Sequence, residues 1–496
     1  MDSQSLSMPS ERASPVETLL PDVLKHIFLF CLPENPLDHV QPDTKIAPML
    51  LCQVSSAWRA TALGFPALWL YLNHHPHLFW KDGIPMTANP ERLVEDAEFL
   101  VWWRESNDSP FVRFRFHKPE EGDTSVSRSI SWKHIPDLTF FVAYVSSARY
   151  LDVEILAEYL FPSIGRNNLS RLQYLVTHHP NDYGTQNYLN VFMSRPSLIA
   201  FHIPATLHHL SLDDVEFYKD FLRMVSTSIL THLTLHDTAA SHPPVWYSLI
   251  RGLPNLQWGY FDVFVAFFSY HNDNLPNEHT LPFLSTLTVK VVDKFDPNVN
   301  VLALFLANLR FPALRDLSIY LDVRPWDSLQ LVADVTGVLL SAPAVTKLTL
   351  GLQPIGPLNF DEELECDTIT CLSKSAPYLT HLVLDMRPTP DPRAEVDEED
   401  DEVQEVELAD VLKGWEEILY DGCWVDFEDP ACAIKKVTVV VEAPLEERAA
   451  VEEAIFGAFV PDEEENMPDV VLEIIQEDTE GFAPYSQRWK NWGMAL

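Results

Sequence analysis

The phrase Leu-x-x-Leu-x-Leu, with Ile and Val as variants, recurs along this chain and constrains its fold more than any other feature. Copies stand at Leu207-Leu210-Leu212, Leu230-Leu233-Leu235, Leu284-Leu287-Val289, Leu314-Leu317-Ile319, Val345-Leu348-Leu350, Leu379-Leu382-Leu384 and Ile434-Val437-Val439. A short strand that returns periodically specifies stacked repeats rather than one globular enzyme core. Pro-x introduces many copies, as in Pro282-Phe283-Leu284, Pro312-Ala313-Leu314, Pro343-Ala344-Val345 and Pro377-Tyr378-Leu379, so that proline ends a preceding helix and starts an extended segment. Pro254-Asn255-Leu256 and Pro196-Ser197-Leu198 are degenerate copies. From Leu284 onward the first three steps are about thirty residues, the length of one strand plus one helix.

The intervening segments fit that unit. Val301, Leu302, Leu304, Phe305, Leu306 and Leu309 precede Pro312, and Leu329, Leu331, Val332, Val335, Val338 and Leu339 precede Pro343, both at helical intervals. Phe111 to Phe116, Tyr150 to Ile155, Leu172 to Val176, Lys436 to Val441 and Asp469 to Ile475 read as further strands, with helices over 91–105, around Leu408 to Leu419, and over 445–459.

The pattern resembles leucine-rich repeats, with one departure. The asparagine expected three residues after the last leucine is replaced by Val215, Thr238, Val292, Asp322, Gln353 and Arg387. Its loss predicts an uneven solenoid whose turns are satisfied one by one. The position between two core positions, Ser211, Thr234, Thr288, Ser318, Thr349 and Val383, is expected to face outward on the strand side. Those side chains are mostly small, so target recognition is assigned to loops after the strands, at Asp213, Asp214, His236 and Asp237.

At the N-terminus, Thr18-Leu19-Leu20-Pro21-Asp22 leads into Val23, Leu24, Ile27, Phe28 and Cys31, an apolar stripe on a helix started by Pro21. A second stripe, Ala47, Leu51, Val54, Trp58 and Ala62, is ended by Pro66. Leu19 to Phe28 resembles the opening signature of an F-box. Leu50 to Arg59, followed by Pro66-Ala67-Leu68-Trp69, resembles its second half. Leu20 stands where the family has proline and Asp22 where it has glutamate; the excess length in Pro33 to Ile46 is similar to a long-loop variant abundant among fungal F-box proteins. The resemblance implies contact with a Skp-type adaptor, and through it a cullin, at Leu19, Pro21, Leu24, Ile27, Phe28 and Val54. The departure at Leu20 leaves that residue outside the set.

Composition narrows the function. A formal charge of −39 over 496 residues argues against general binding to phosphate backbones. Much of the excess lies in Glu395 to Glu407, read as a solvated insert or, in the sharper reading, a lure for a basic target. No signal-peptide pattern or membrane span is legible; the most apolar stretch, Trp258 to Tyr270, is short and contains Asp262. Six scattered cysteines form neither a disulfide framework nor a zinc pair, which fits a cytoplasmic or nuclear protein. Phosphate-loop, nucleophile-elbow and zinc-protease motifs are absent. His232 and His236 share a strand face, but no second pair completes a metal site. Trp102-Trp103, Trp258 with Tyr260, and Trp415 with Trp424 are read as core of their repeats or, in the sharper reading, as a substrate-reading surface.

The expected fold class is α/β: a small N-terminal helical F-box followed by an irregular leucine-rich-repeat-like solenoid of alternating strands and helices. The expected division is a disordered tail (1–14), an F-box (15–72), a helical linker with the first repeat (73–145), the solenoid with an acidic insert at 391–407 (146–476), and a C-terminal tail (477–496). The resemblance implies the substrate-recognition subunit of a Skp-cullin-F-box type ubiquitin ligase. Such a subunit uses no cofactor, catalyses nothing and acts by holding a protein target near a ubiquitin donor. The alternative is a repeat scaffold whose F-box-like segment only caps the solenoid.

Overall fold

The computed structural model describes residues 19–32, 45–74, 79–81, 84–87, 111–114, 128–129, 148–153, 171–177, 206–213, 229–239, 250–265, 278–293, 306, 308–323, 328–352, 372–386, 432–442, 448–459 and 469–475. The protein is mixed α/β and divides into two compact units, Met1–Leu207 and His208–Leu496. The helices expected at 91–105 and around Leu408, the Pro196 copy, the acidic insert, Asp214, Trp102-Trp103, Trp415 and Trp424 lie outside the described residues.

The first unit opens on helix α1 (Pro21–Phe30), with Pro21 in its first turn and Asp22 favoured by the positive helix end. The stripe from Ala47 to Ala62 does not form one helix. Ser55 is extended (φ −159°, ψ 169°) and separates α2 (Leu51–Val54) from α3 (Ser56–Leu63). Ser55 Oγ accepts the Trp58 N–H, so a serine that sequence periodicity absorbs into a stripe acts instead as an N-cap. A 3₁₀ turn, Pro66–Trp69, closes the segment. Leu24, Phe28, Leu51, Ala62, Leu68 and Trp69 form its core, and the Phe28 and Trp58 rings meet at 5.0 Å.

The two tryptophans are held differently. Trp69 Nε1 donates to the Ala62 carbonyl at 2.8 Å, whereas the buried Trp58 Nε1 makes no hydrogen bond. Trp69→Phe should therefore cost about 1–3 kcal/mol more than Trp58→Phe, because the first gives up a hydrogen bond to a carbonyl that keeps only the Phe65 N–H, whereas the second removes an unbonded buried donor. Chemical unfolding of both variants checks this, and equal costs would refute it.

Strands start directly after the turn. β1 (Tyr71–His74), β4 (Phe111–Phe114), β6 (Tyr150–Val153) and β7 (Tyr174–Thr177) pair in parallel in that order. β2 (Phe79–Lys81), β3 (Ile84–Thr87) and β5 (Arg128–Ser129) form a small antiparallel sheet. Of the stretch expected as a helical linker with the first repeat, over 73–145, the described residues are strands, among them the one expected from Phe111.

Among its described residues the second unit holds nine parallel strands paired side by side. These are β8 (His209–Asp213), β9 (His232–Ala239), β10 (Trp258–Val265), β12 (Thr286–Asp293), β14 (Asp316–Val323), β15 (Lys347–Leu352), β16 (His381–Asp385), β17 (Lys436–Glu442) and β18 (Asp469–Ile475). Each pairs with the next. Short β11 (His279–Thr280) pairs with β13 (Leu309–Arg310). Leu309 is therefore strand rather than the end of a helix, while α4 (Ser328–Ser341) and α6 (Arg448–Phe459) stand where helices are expected. A further turn of helix, α5 (Leu372–Ser375), precedes β16.

Register stacks the motif leucines. Leu233, Leu287, Leu317, Leu348, Leu382 and Val437 are buried in one row and Leu235, Phe261, Val289, Ile319, Leu350, Leu384 and Val439 in the next. Such apolar side chains stabilise by about 1.5–3 kcal/mol each on full burial. β10 has Gly259 in the first row, and the Phe261 ring occupies its room: a Cβ there would lie 2.7 Å from Phe261. The larger residue compensates the missing one.

The strand starts follow one repeated pattern. The carbonyls of His208, Thr231, Gln257, Ser285, Arg315, Thr346 and Thr380 each accept two consecutive N–H groups from the next strand's start, at 2.8–3.2 Å. The hydroxyls of Thr231, Ser285, Thr346 and Thr380 donate to the same carbonyls. A hydroxyl residue immediately after the first motif leucine was the legible signal for this ladder.

Candidate functional site

α1 carries more apolar side chains than one buried face can take. Leu24 and Phe28, four residues apart, turn inward at 3 % and 0 % exposure. Leu20 (70 %), Val23 (43 %), Leu29 (42 %) and Phe30 (90 %) stay in solvent. The following segments add Ile46, Leu50, Val54 and Leu63. Eight of the eleven exposed large apolar side chains among the described residues thus belong to one short helical segment. Scattered exposed leucines need no explanation, but such a concentration makes this segment a candidate interaction surface.

The six residues expected to meet an adaptor are divided by this geometry. Pro21 and Val54 are exposed, Leu19 and Ile27 half-buried, and Leu24 and Phe28 are core, so their part is to hold the surface in shape. Leu20, set aside for departing from the family pattern, and Phe30 are the most exposed of the apolar set. The signal available was the surplus itself: Val23, Leu24, Ile27, Phe28, Leu29 and Phe30 exceed a single helical stripe. Around them Lys25 pairs with Asp22 at 3.1 Å and lies over the Phe65 ring, and Arg59 Nε donates to the Cys52 carbonyl at 2.8 Å.

The sheet face of the second unit that bears the positions between the core rows is a second candidate. Its residues do not form an open floor: Ser211, Thr234, Thr349 and Val383 are buried, and Thr288 and Ser318 are half-buried. Larger neighbours on the same face enclose them. His209 and His232 stack at 4.0 Å, and His232 faces Trp258 at 6.2 Å. Trp258 is half-buried on this face, beside buried Tyr260.

Burial first, then the neighbouring histidines, lowers His209 to about 2, and burial with His208 lowers His232 to about 4. Both rings are neutral at physiological pH. Farther along, Asp316 pairs with Lys347 at 3.7 Å, and His381 lies between Lys347 and Lys436 in register. Burial, then Lys436 and Lys347, holds His381 below the ordinary histidine range, and its Nε2 is 2.9 Å from Thr438 Oγ1.

Of the residues assigned to target reading, Asp213 ends β8, while His236 and Asp237 lie inside β9 rather than in a loop after it. Among the described residues no group of three or more His, Cys, Asp or Glu is placed to hold a metal ion, and no helix is long and apolar enough to cross a membrane. No protein-family model matches this chain, and no curated protein matches it at a significant level.

Proposed function

We propose that this chain is the substrate-recognition subunit of a Skp-cullin-F-box type ubiquitin ligase, with F-box helices that bind a Skp-type adaptor and a leucine-rich-repeat-like solenoid that binds a protein target. The observation that carries the reading is the exposed apolar surface of Leu20, Val23, Leu29, Phe30, Leu50 and Val54, held by a core built from Leu24, Phe28 and Trp69. The alternative, a scaffold whose helices only cap the repeats, asks those side chains to be buried against the chain's own strands. Their exposure favours the adaptor reading. The subunit contributes proximity and no bond chemistry.

The test is copurification with a purified Skp-type adaptor. The triple variant Leu20→Asp, Phe30→Asp, Val54→Asp should fold normally, since it changes exposed positions only, and should bind the adaptor at least a hundredfold more weakly, because a buried carboxylate replaces apolar contact at three points. Undiminished copurification of the folded variant would sink the proposal.

A further inference from the structure

Outside the N-terminal helices, the large apolar side chains exposed among the described residues are Phe283, Leu340 and Tyr378, and all three lie at one edge of the second unit. Phe283 and Tyr378 occupy the x position of Pro-x-Leu before β12 and β16, and Ala313 and Ala344 hold the same position before β14 and β15. Leu340 is in the last turn of α4, whose Ser341 carbonyl accepts the Phe311 N–H beside the Pro312 turn. Pro282, Pro312, Pro343 and Pro377 are exposed in the same turns. The paired carbonyl ladder fixes these turns side by side. At roughly 4.8 Å per strand, Phe283 and Tyr378 stand three steps, roughly 14 Å, apart with two alanines between them. That gap takes about four residues of extended chain.

The same edge is cationic in a protein of net charge −39. Arg315, Lys374 and Lys435 are exposed, and Lys347 and Lys436 begin β15 and β17. Among the described residues at these strand starts, the carboxylates Asp316 and Glu278 are paired with Lys347 and Arg310, and exposed Asp469 begins β18 in register with Lys436. We propose that this strand-start edge, from Phe283 to Tyr378, binds an extended acidic peptide carrying apolar anchors. The apolar side chains of the peptide settle over Ala313 and Ala344 between the two aromatic pillars. Its carboxylates meet Arg315, Lys374 and Lys436. The occupant is thereby opposite in charge to the basic target that overall composition suggests. The surface deepens the receptor reading and rests on it only for calling the bound peptide a target.

The probe is a fluorescein-labelled peptide, Glu-Glu-Leu-Pro-Glu-Leu-Glu-Glu, titrated with the full chain alone and followed by anisotropy. Counterparts with lysine for glutamate and with serine for leucine serve as comparisons. The acidic, apolar peptide should bind at least tenfold tighter than either counterpart, and its binding should weaken as salt rises from about 0.05 to 0.5 M. Phe283→Ser with Tyr378→Ser, and separately Arg315→Glu with Lys436→Glu, should each reduce binding at least tenfold. Equal binding of the three peptides, insensitivity to salt in the wild-type chain, or unchanged binding by both variants would overturn the proposal. A tenfold gain on deleting 395–407 would also overturn it, by showing that the chain's own acidic run takes the place of a foreign peptide. No adaptor is present, so failure here and failure of adaptor binding register separately.

Discussion

Lowering the pH from 7.5 to 5 is expected to remove about 4 kcal/mol of stability from the second unit through two side chains, His209 and His232. Their rings stack at 4.0 Å, and burial holds them at about 2 and about 4. An unfolded histidine titrates near 6.5, so between that value and the folded ones the unfolded chain holds more protons than the native state. Stability is therefore complete above about pH 6.5 and falls as pH falls, at about 2 kcal/mol for each ring by pH 5. Acidic groups also titrate in this range, and comparison with a His209→Leu, His232→Leu variant subtracts them. The difference in urea midpoint between the two proteins should change by the stated amount across this interval; a constant difference would show that the rings accept protons without cost.

Gly351→Val should be the most damaging single change on the outer sheet face. The Tyr320 ring crosses β15 over Gly351 and its hydroxyl donates to Asp385 Oδ2 at 3.3 Å, which is the register order Tyr320, Gly351, Asp385. A Cβ on residue 351 would lie 2.1 Å from Tyr320 Cδ1. The ring must leave, which gives up its packing and its hydrogen bond to the buried carboxylate, at about 3 kcal/mol or more. Once the ring is gone the same valine has room. The Tyr320→Ala, Gly351→Val double variant should then be scarcely less stable than Tyr320→Ala alone, a coupling of about 2 kcal/mol or more. Strict additivity in the four urea curves would reject the steric account.

The repeating strands were legible because each copy writes its own apolar period, and the copies agree in phase: Leu317, Leu348 and Leu382 occupy equivalent places in adjacent strands. The break at Ser55 was not, since an apolar stripe runs through it and only the local serine-to-backbone bond reveals the bend. Exposure on the sheet was misjudged for a related reason. Alternation tells which face Thr234 is on, but whether that face is open depends on the size of neighbours such as His209 and Trp258, which belong to other strands. For the helical surface, the motif located the segment and mixed its core with its exterior: Phe28 packs within while Phe30 stands outside. The strand-start edge was hidden because Phe283 and Tyr378 are far apart in sequence and come onto one edge only through the stacking of turns.

Hydrogen–deuterium exchange of the full chain, with and without a purified Skp-type adaptor, decides whether α1 to α3 form an adaptor-binding surface. Bound adaptor should slow exchange in α1 to α3, residues 21–63, and leave β8 to β18 unchanged. Binding that protects the strands of the second unit instead, or no protection at adaptor concentrations that saturate an established F-box protein, would contradict the adaptor reading.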